Sequence, residues 1–507
     1  MNEAVAGYPE LLRLAARVAR LHGYSTVITL GASRWAGTPI KDPDLDFVEI
    51  RSGPGGPKRS RISGFHRQLT WDPTLGSLPT LDPDVLARSV ACLELDGPSG
   101  GWTASIDAVR TLLECVPVSI VTRPEWGSRD PGALGRALAA AGLPPTFEGR
   151  LSPGGTPDVE VAIVDRVVGE GRDRAPSDFR VVAVMTAYNE EDIIGPSIEA
   201  LVAGGIEVHL IDNWSSDRTY DIAQGYLGRG LVGLERFPAA PTPTFDLTQI
   251  LHRVEDVTAG LRSDWCIHHD ADERKVGPWP GRSLRDALWV AQRSGFNAID
   301  QTVLDFRPVD SGFMPGTDYE AHFRSFEFGA ELGDQLKIQA WRNTGQRVVL
   351  AESGGHEAVF PGRRVFPYKF LLKHYPIRSQ AHGERKILVE RRARWNPAER
   401  ARGWHVHYDD VTAGHVFVRD PSELLEFVDG RTQRDYLVPF VSGVGLEGTQ
   451  VPGWALRGRT RALVYRSIRA LDEGRVAGLL RRSILPRAPI ARRLARRVRR
   501  AIFGGRA

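Results

Sequence analysis

Three observations predict an α/β protein: two Rossmann-like, doubly wound domains followed by a basic helical tail. Strand-like and helix-like runs alternate from the N-terminus to about residue 166, and again from Val181 onward. This is the pattern of parallel sheets covered by helices. A polar segment with no hydrophobic period, RVVGEGRDRAPSDFR (Arg166–Arg180), separates the two alternations. The end of the chain, Trp454–Ala507, holds 16 Arg, no Lys and two acids, Asp472 and Glu473. A net acidic body therefore carries a strongly basic tail, although the whole chain is only +4. The expected organisation is a first domain at 1–166, a linker at 167–180, a second domain at 181–430 and a helical, Arg-rich tail at 431–507.

Bulk composition narrows the class. A chain of 507 residues is long enough for about two to four domains. With 42% apolar and 25% charged residues it is not disordered throughout. Cys92, Cys115 and Cys266 are far apart and match no zinc or disulfide spacing, which favours a reducing compartment. The first residues lack an apolar run behind basic residues. No window approaches the roughly 20 apolar residues of a spanning helix. A cytoplasmic location is expected. The dominance of Arg with abundant Ala and Gly suggests a bacterial source.

In the first domain ELLRLAARVARLHG is an amphipathic helix ended by Gly23, and STVITLG is a strand closed by Gly31. SVACLELDG, PVSIVTR and DVEVAIVD read as buried strands, with the helical run SIDAVRTLLECV between the first two. In the second domain the strands are VVAVMT, VHLID, GLVGLERF, WCIHHD and FNAIDQTVLDF. The intervening helices are EDIIGPSIEALVAGG, DRTYDIAQGYL, DLTQILHRVEDVTAGLR and SLRDALWVAQRSG. The alternation loses regularity after about residue 305.

Ligands of open parallel sheets bind beyond the carboxyl ends of the strands. Three acidic motifs fall there: Thr186–Asp192, Asp212–Asp217 and His268–Glu273. Helix capping by Asn189 and by Ser215 or Ser216, with acids in the first helical turn, is the plain alternative for the first two. It does not account for HHDADE. Asp270 and Asp272 repel one another unless a cation lies between them, and a hard divalent ion bound through carboxylates and substrate phosphates suits them; an ordinary surface turn is the alternative. TAYNEED has no glycine and several acids, so its helix is a poor phosphate cradle. The diphosphate is then expected on the metal and the nucleoside at the first edge. Asp212 is expected to accept a hydrogen bond from a base N–H or a ribose hydroxyl.

AYNEED, IDNWSSDRT and HHDADE, in this order and spacing, resemble the GT-A fold of family 2 glycosyltransferases. DQLKIQAW, SGGHEAVF and LLKHYPIRSQAHGERK extend the likeness toward a bacterial branch with a D-x-D-E motif, over about residues 180–410. The resemblance implies an inverting transfer from a nucleotide-diphosphate sugar, with Mn²⁺ or Mg²⁺. It implies nucleoside contacts at Thr186, Asn189, Glu190 and Asp212, and metal–diphosphate contacts at Asp270 and Asp272. Where the family usually has VDDGSxDxT, Asn213 replaces an acid and Trp214 a glycine, which leaves base and ribose selectivity open. The inverting step needs a carboxylate base. Asp305, Glu320, Glu327 and Glu357 are candidates, with Glu357 and Asp305 carried forward.

His374, after an apolar run, is the expected further metal ligand and His356 its competitor; a core histidine is the alternative for His374. Lys337, Arg378, Arg385 and Lys386 are expected to neutralise the diphosphate, a solvated charged face being the alternative. His405 and His407 share a strand face, with an acceptor-site or structural role preferred to a metal pair. VITLGASRWAG, with Gly31 and Gly37, stands where a class I methyltransferase has its cofactor loop, so the first domain resembles a degenerate methyltransferase used for packing or acceptor recognition. An active methyltransferase is the alternative. In the tail Ile490, Leu494, Val498 and Ile502 recur every four residues among arginines. Such a basic amphipathic helix suits an anionic membrane surface; a disordered tail or an RNA-binding arm is the alternative. The expected partners are a nucleotide-sugar donor and a glycan or lipid-linked acceptor in cell-surface polysaccharide synthesis, with no specific nucleic acid. A sugar-1-phosphate nucleotidyltransferase and a non-catalytic membrane- or RNA-binding protein are the competing functions.

Overall fold

A computed structural model describes residues 9–30, 45–52, 67–71, 82–94, 114–124, 132–151, 159–170, 174–329, 336–401, 404, 409, 411–429, 432 and 441–442. The Gly31–Gly37 loop, His405, His407 and the Arg-rich segment from Trp454 lie outside the described residues. Among the described residues, no helix is long and apolar enough to cross a membrane.

The first sheet has seven strands: β1 (Thr26–Leu30), β2 (Asp46–Ser52), β3 (Arg67–Trp71), β4 (Ser89–Glu94), β5 (Val118–Pro124), β6 (Phe147–Leu151) and β7 (Val159–Asp165). Their order is β3-β2-β1-β4-β5-β7-β6. The first five run parallel, and β7 is antiparallel to both β5 and β6. Side chains alternate between two buried faces. Val27, Val90, Cys92, Val118 and Ile120 meet Leu11, Leu14, Ala15 and Val18 of the helix Pro9–His22. Ile28, Ala91, Leu93 and Val121 face Leu134 and Leu138 of the helix Ala133–Ala140. Helices on both faces explain why these strands read as unbroken apolar runs.

The second sheet begins with β8 (Val181–Ala187), β9 (Glu207–Asp212), β10 (Leu231–Arg236) and β11 (Trp265–Asp270). These run parallel in the order β10-β9-β8-β11. The chain therefore steps outward from β8 and returns to its other side, so the carboxyl ends of β8, β9 and β11 share one edge. Beyond β11 the sheet turns antiparallel. β12 (Glu273–Val276), β13 (Ala298–Phe306), β14 (Ser325–Phe328), β15 (Lys337–Arg342), β16 (Phe370–His374) and β17 (Leu425–Glu426) complete it. β15 lies antiparallel between β11 and β13, and β16 pairs antiparallel with β12 and parallel with β13. The α/β class is as expected; the antiparallel half accounts for the irregularity after residue 305.

The polar segment between the alternations is fastened at both ends. Arg166–Glu170 is a helical turn whose Val168 N–H donates to Asp165 Oδ1 at 3.0 Å. Ala175 N–H donates to Asp286 Oδ1 at 2.8 Å, and Arg285 Nε to the Phe179 carbonyl at 2.8 Å. Gly and charges lower hydrophobic periodicity but do not prevent capping and ion pairing, so composition alone suggested a looser tether.

The two sheets share one core. Phe147 of β6 packs on Tyr368 with ring centroids 3.9 Å apart and on Trp279 at 5.4 Å. Asp165, at the end of β7, accepts hydrogen bonds from Tyr368 Oη at 2.7 Å and His22 Nε2 at 3.0 Å. Burial beside that carboxylate raises the Tyr368 hydroxyl well above its ordinary range. Tyr368→Phe should destabilise by about 1 kcal/mol, and Asp165→Ala by about 3 kcal/mol because it strands several buried donors. Urea unfolding read from signals of both domains checks this, and the two signals should move together.

Candidate active site

The first edge is built by interlocking two loops. Asn189 N–H donates to Ser215 Oγ at 3.0 Å, and Ser216 N–H to Asn189 Oδ1 at 2.8 Å. Glu190 N–H donates to Thr219 Oγ1 at 2.7 Å, and Glu191 N–H to Asp217 Oδ2 at 3.1 Å. This cross-bonding ties NEED, after β8, to SSDRT, after β9. It also corrects the capping alternative. The helix starts at Ile194 without a side-chain cap, and the acids lie in the loop before it. Asn189 (φ 54°) bridges to the next loop instead. Trp214 keeps a left-handed backbone (φ 59°) where the family pattern has glycine. Such a conformation costs a bulky residue about 1–2 kcal/mol. The indole N–H bonded to the Pro238 carbonyl at 2.7 Å, and Arg236 stacked at 5.2 Å, offset that cost.

Asp212 ends β9 and is fully buried. Its Oδ2 accepts from Ser215 N–H at 3.1 Å, while Oδ1 is buried with no hydrogen-bond partner among the described residues. Burial pushes its carboxyl up, against the pull of Ser215 and Arg236. An orphaned buried acceptor at a sheet edge is an opening for a ligand N–H or O–H.

At the second edge the register sets the geometry. Asp270 stands opposite Thr186 across β11 and β8, and Thr186 Oγ1 donates to Asp270 Oδ1 at 2.6 Å. Three residues beyond Asp270, β12 places Glu273 opposite His374 of β16, and β13 places Asp305 opposite the same His374. His374 Nδ1 lies 2.8 Å from Asp305 Oδ1, and its Nε2 lies 3.8 Å from Asp272 Oδ1. Glu273 is buried between Lys275, in direct contact, and Lys337 at 3.8 Å. Lys275, fully buried, also reaches His269 Nδ1 at 3.3 Å. Both His268 and His269 are buried, and burial lowers both below the usual imidazole range.

The basic residues depart from their expected role. Arg378 is fully buried. Its Nε and Nη2 each reach Asp192 at 2.7 Å, Nη2 also contacts Glu190, and Nη1 donates to the Tyr375 carbonyl at 3.1 Å. Lys386 Nζ lies 2.8 Å from both Glu190 Oε1 and Asp272 Oδ2. These two side chains are internal cations that tie the 190–192 loop to the acidic edge, rather than free ligands for a diphosphate. Both carboxylate oxygens of Glu190 and the amide oxygen of Asn189 are likewise engaged within the protein. Lys386 also offsets the charge of Asp272, since one Asp272 oxygen already faces an ammonium. Glu190, Asp192 and His382 present ligand atoms within 4.8 Å of one another, but Arg378 bonds to all three, so a guanidinium already holds that place.

Each expected base holds a cation. Asp305 faces His374 and, at 3.3 Å, Arg307. Glu320 takes Arg274 at 3.0 Å and Lys373 at 2.7 Å. Glu327 takes Arg307 at 2.7 Å, and Glu357 takes Arg363 at 2.6 Å. Glu357 and His356 lie beside Ile338 at the start of β15, the His356 carbonyl accepting from Ile338 N–H at 2.8 Å. Sequence reading missed Lys275, Asp192, Thr219 and His382. Their signal was present only as charge next to the motifs, without a spacing that selects them.

Two predictions follow from this charge pattern. Arg378→Leu would leave Glu190 and Asp192 buried beside too little positive charge, a loss of about 3–5 kcal/mol. Arg385→Ala, at a half-exposed ion pair with Glu390, should cost less than about 1 kcal/mol; urea midpoints separate the two. Burial tends to raise Asp272, Glu273 and Asp305, but facing cations win and hold all three below the usual carboxylate range. Their stabilisation is full above about pH 4 and is lost as pH falls through the depressed values. Burial opposes protonation of His374, yet Asp305 and Asp272 raise it. Its contribution is full below about pH 6.5 and is lost as pH rises through the raised value. A melting-temperature profile should decline on both sides, and His374→Gln should flatten the alkaline limb.

Residues 182–234, from β8 to β10, match the sequence model of Glycosyl transferase family 2. No curated protein matches the chain. Among solved structures, TarS of S. aureus is 14% identical with a TM-score of 0.19, covering 28% of this chain and 23% of that one. Glucosyl-3-phosphoglycerate synthase of Mycobacterium tuberculosis, in complex with Mn²⁺ and UDP-glucose, is 19% identical with a TM-score of 0.18, covering 27% and 47%. A 16S rRNA (adenine(1408)-N(1))-methyltransferase from Catenulisporales acidiphilia is 11% identical with a TM-score of 0.21, covering 29% and 89%. The chain thus spans less than half the length of the two glycosyltransferase structures. The family 2 glycosyltransferase resemblance expected from the strand-end motifs is shown by the match across β8–β10.

Proposed function

We propose that this chain is a metal-dependent, inverting glycosyltransferase. It moves a sugar from a nucleotide-diphosphate sugar to a glycan or lipid-linked acceptor in cell-surface polysaccharide synthesis. The observation that carries this reading is the approach of His374 to Asp272, two residues beyond Asp270 at the end of β11, inside the domain that holds the family 2 segment. The 3.8 Å between His374 Nε2 and Asp272 Oδ1 is too long for a hydrogen bond. It is within the span of two metal–ligand bonds of about 2.1 Å each. One carboxylate and one imidazole at this separation would suit Mn²⁺ or Mg²⁺, with the donor diphosphate completing the shell.

When bound, such an ion supplies charge neutralisation for the departing diphosphate. The chain's own residues do the rest. Thr186 orients Asp270 through its hydroxyl. Lys386 holds one oxygen of Asp272 and leaves the other toward His374. Asp212 Oδ1 accepts an N–H or O–H of the nucleoside. We assign Lys337, beside Glu273, to the diphosphate side. The corrected roles of Arg378, Lys386, Glu190 and Asn189 are to shape the pocket walls. Placement on the inner face of an anionic membrane through Trp454–Ala507, and packing or acceptor recognition by the first domain, complete the proposal.

A thermal-shift screen of UDP-, GDP- and dTDP-sugars with Mn²⁺ tests the site and names the base. Asp270→Ala and Asp272→Ala should each abolish the Mn²⁺-dependent shift and slow donor hydrolysis by at least about 100-fold, near 2.7 kcal/mol. Folded variants with unchanged shifts and hydrolysis would refute the enzyme reading.

A further inference from the structure

We propose that Asp305 is a positioning residue: it holds His374 as the Nδ1–H tautomer, so that the Nε2 lone pair is presented beside Asp272 to a divalent cation. This rests on the metal-site reading above and gives Asp305 a task other than deprotonating the acceptor.

The inference stands on pairing and on donor chemistry. The parallel register of β13 with β16 sets Asp305 directly opposite His374. Asp305 Oδ1 and His374 Nδ1 are 2.8 Å apart. An ionised carboxylate only accepts hydrogen bonds, and a neutral imidazole has one donor and one acceptor nitrogen. In the neutral ring, the form that can bind a metal, the nitrogen facing Asp305 is therefore the N–H, and the lone pair is on Nε2. Asp305 is itself held from behind. Arg307 Nη2 donates to Asp305 Oδ2 at 3.3 Å, and Arg307 Nε is anchored on Glu327 Oε1 at 2.7 Å. The chain Glu327–Arg307–Asp305–His374 runs from the β14 side of the sheet toward Asp272. A carboxylate behind a ligating histidine fixes ring orientation and raises ligand basicity. The same hydrogen bond sets Asp305 apart from a general base. One oxygen accepts from the imidazole and the other from a guanidinium, and both contacts lower the basicity of the carboxylate toward an acceptor proton.

The experiment is Mn²⁺ binding to the full chain without donor, by calorimetry and by the free-Mn²⁺ electron paramagnetic resonance signal. Asp305→Asn should weaken Mn²⁺ by about 10–100-fold at unchanged melting temperature, and Asp305→Glu should recover part of the loss. In a His374→Ala background the same change should add nothing, because Asp305 acts through that ring. If His374→Ala weakens Mn²⁺ but Asp305→Asn binds like the unmodified chain, the positioning role is overturned and the metal site stands. If the unmodified chain does not bind Mn²⁺, or His374→Ala binds equally well, the metal-site reading fails and this inference with it. Should Asp305→Asn not fold, histidine ¹⁵N spectra of the unmodified chain decide. Mg²⁺ should shift Nε2 of His374 and leave Nδ1 protonated; ligation through Nδ1 overturns the proposal.

Discussion

The buried ammonium of Lys386 is the interaction on which the arrangement of the second domain's edge depends. It lies 2.8 Å from Glu190, in the loop after β8, and 2.8 Å from Asp272, in the turn after β11. Arg378 adds a second cation against Glu190 and Asp192. Without these charges, three carboxylates from two loops would be buried together, and a buried charge that loses its partner costs several kcal/mol. The loops can be short, acidic and close to one another because residues 114 to 196 positions later return to neutralise them.

Around this point the fold works as a set of registers. β8 against β11 aligns Thr186 with Asp270, β12 against β16 aligns Glu273 with His374, and β13 against β16 aligns Asp305 with the same histidine. A shift of one residue in any pair would turn these side chains to the opposite face. The buried aromatic contacts of β16 and its neighbours, Phe306 with Tyr375 at 4.9 Å and Phe366 with Phe370 at 6.2 Å, oppose such a slip. The first domain bears on the same strand by a longer route. Tyr368, just before β16, donates to Asp165 at the end of β7, so the strand that carries His374 is braced against the other sheet.

The strands, the alternation and the acidic strand ends were legible because each is local. Apolar runs bounded by Gly and acids, such as WCIHHDADE, state their strand and its exit without outside help. The antiparallel half after β11 was not legible, because pairing direction has no sequence period when both faces are buried. The roles of Arg378 and Lys386 were misread for a similar reason. A basic residue near a motif has the same signature whether it will meet a ligand or an internal carboxylate, and burial alone separates the two. Asp305 was picked out as a carboxylate in the right region, but what it faces is set by β16, about 70 residues further on.

By itself, then, the sequence determined an α/β chain with its acids at strand ends, since these follow from periodicity and from the residues that close each apolar run. Only the tertiary structure decided which charges are spent internally, which acceptor on Asp212 is left over, and which nitrogen of His374 points at Asp272. Those are properties of distance and burial between residues far apart in the chain, and neither quantity is written in local order.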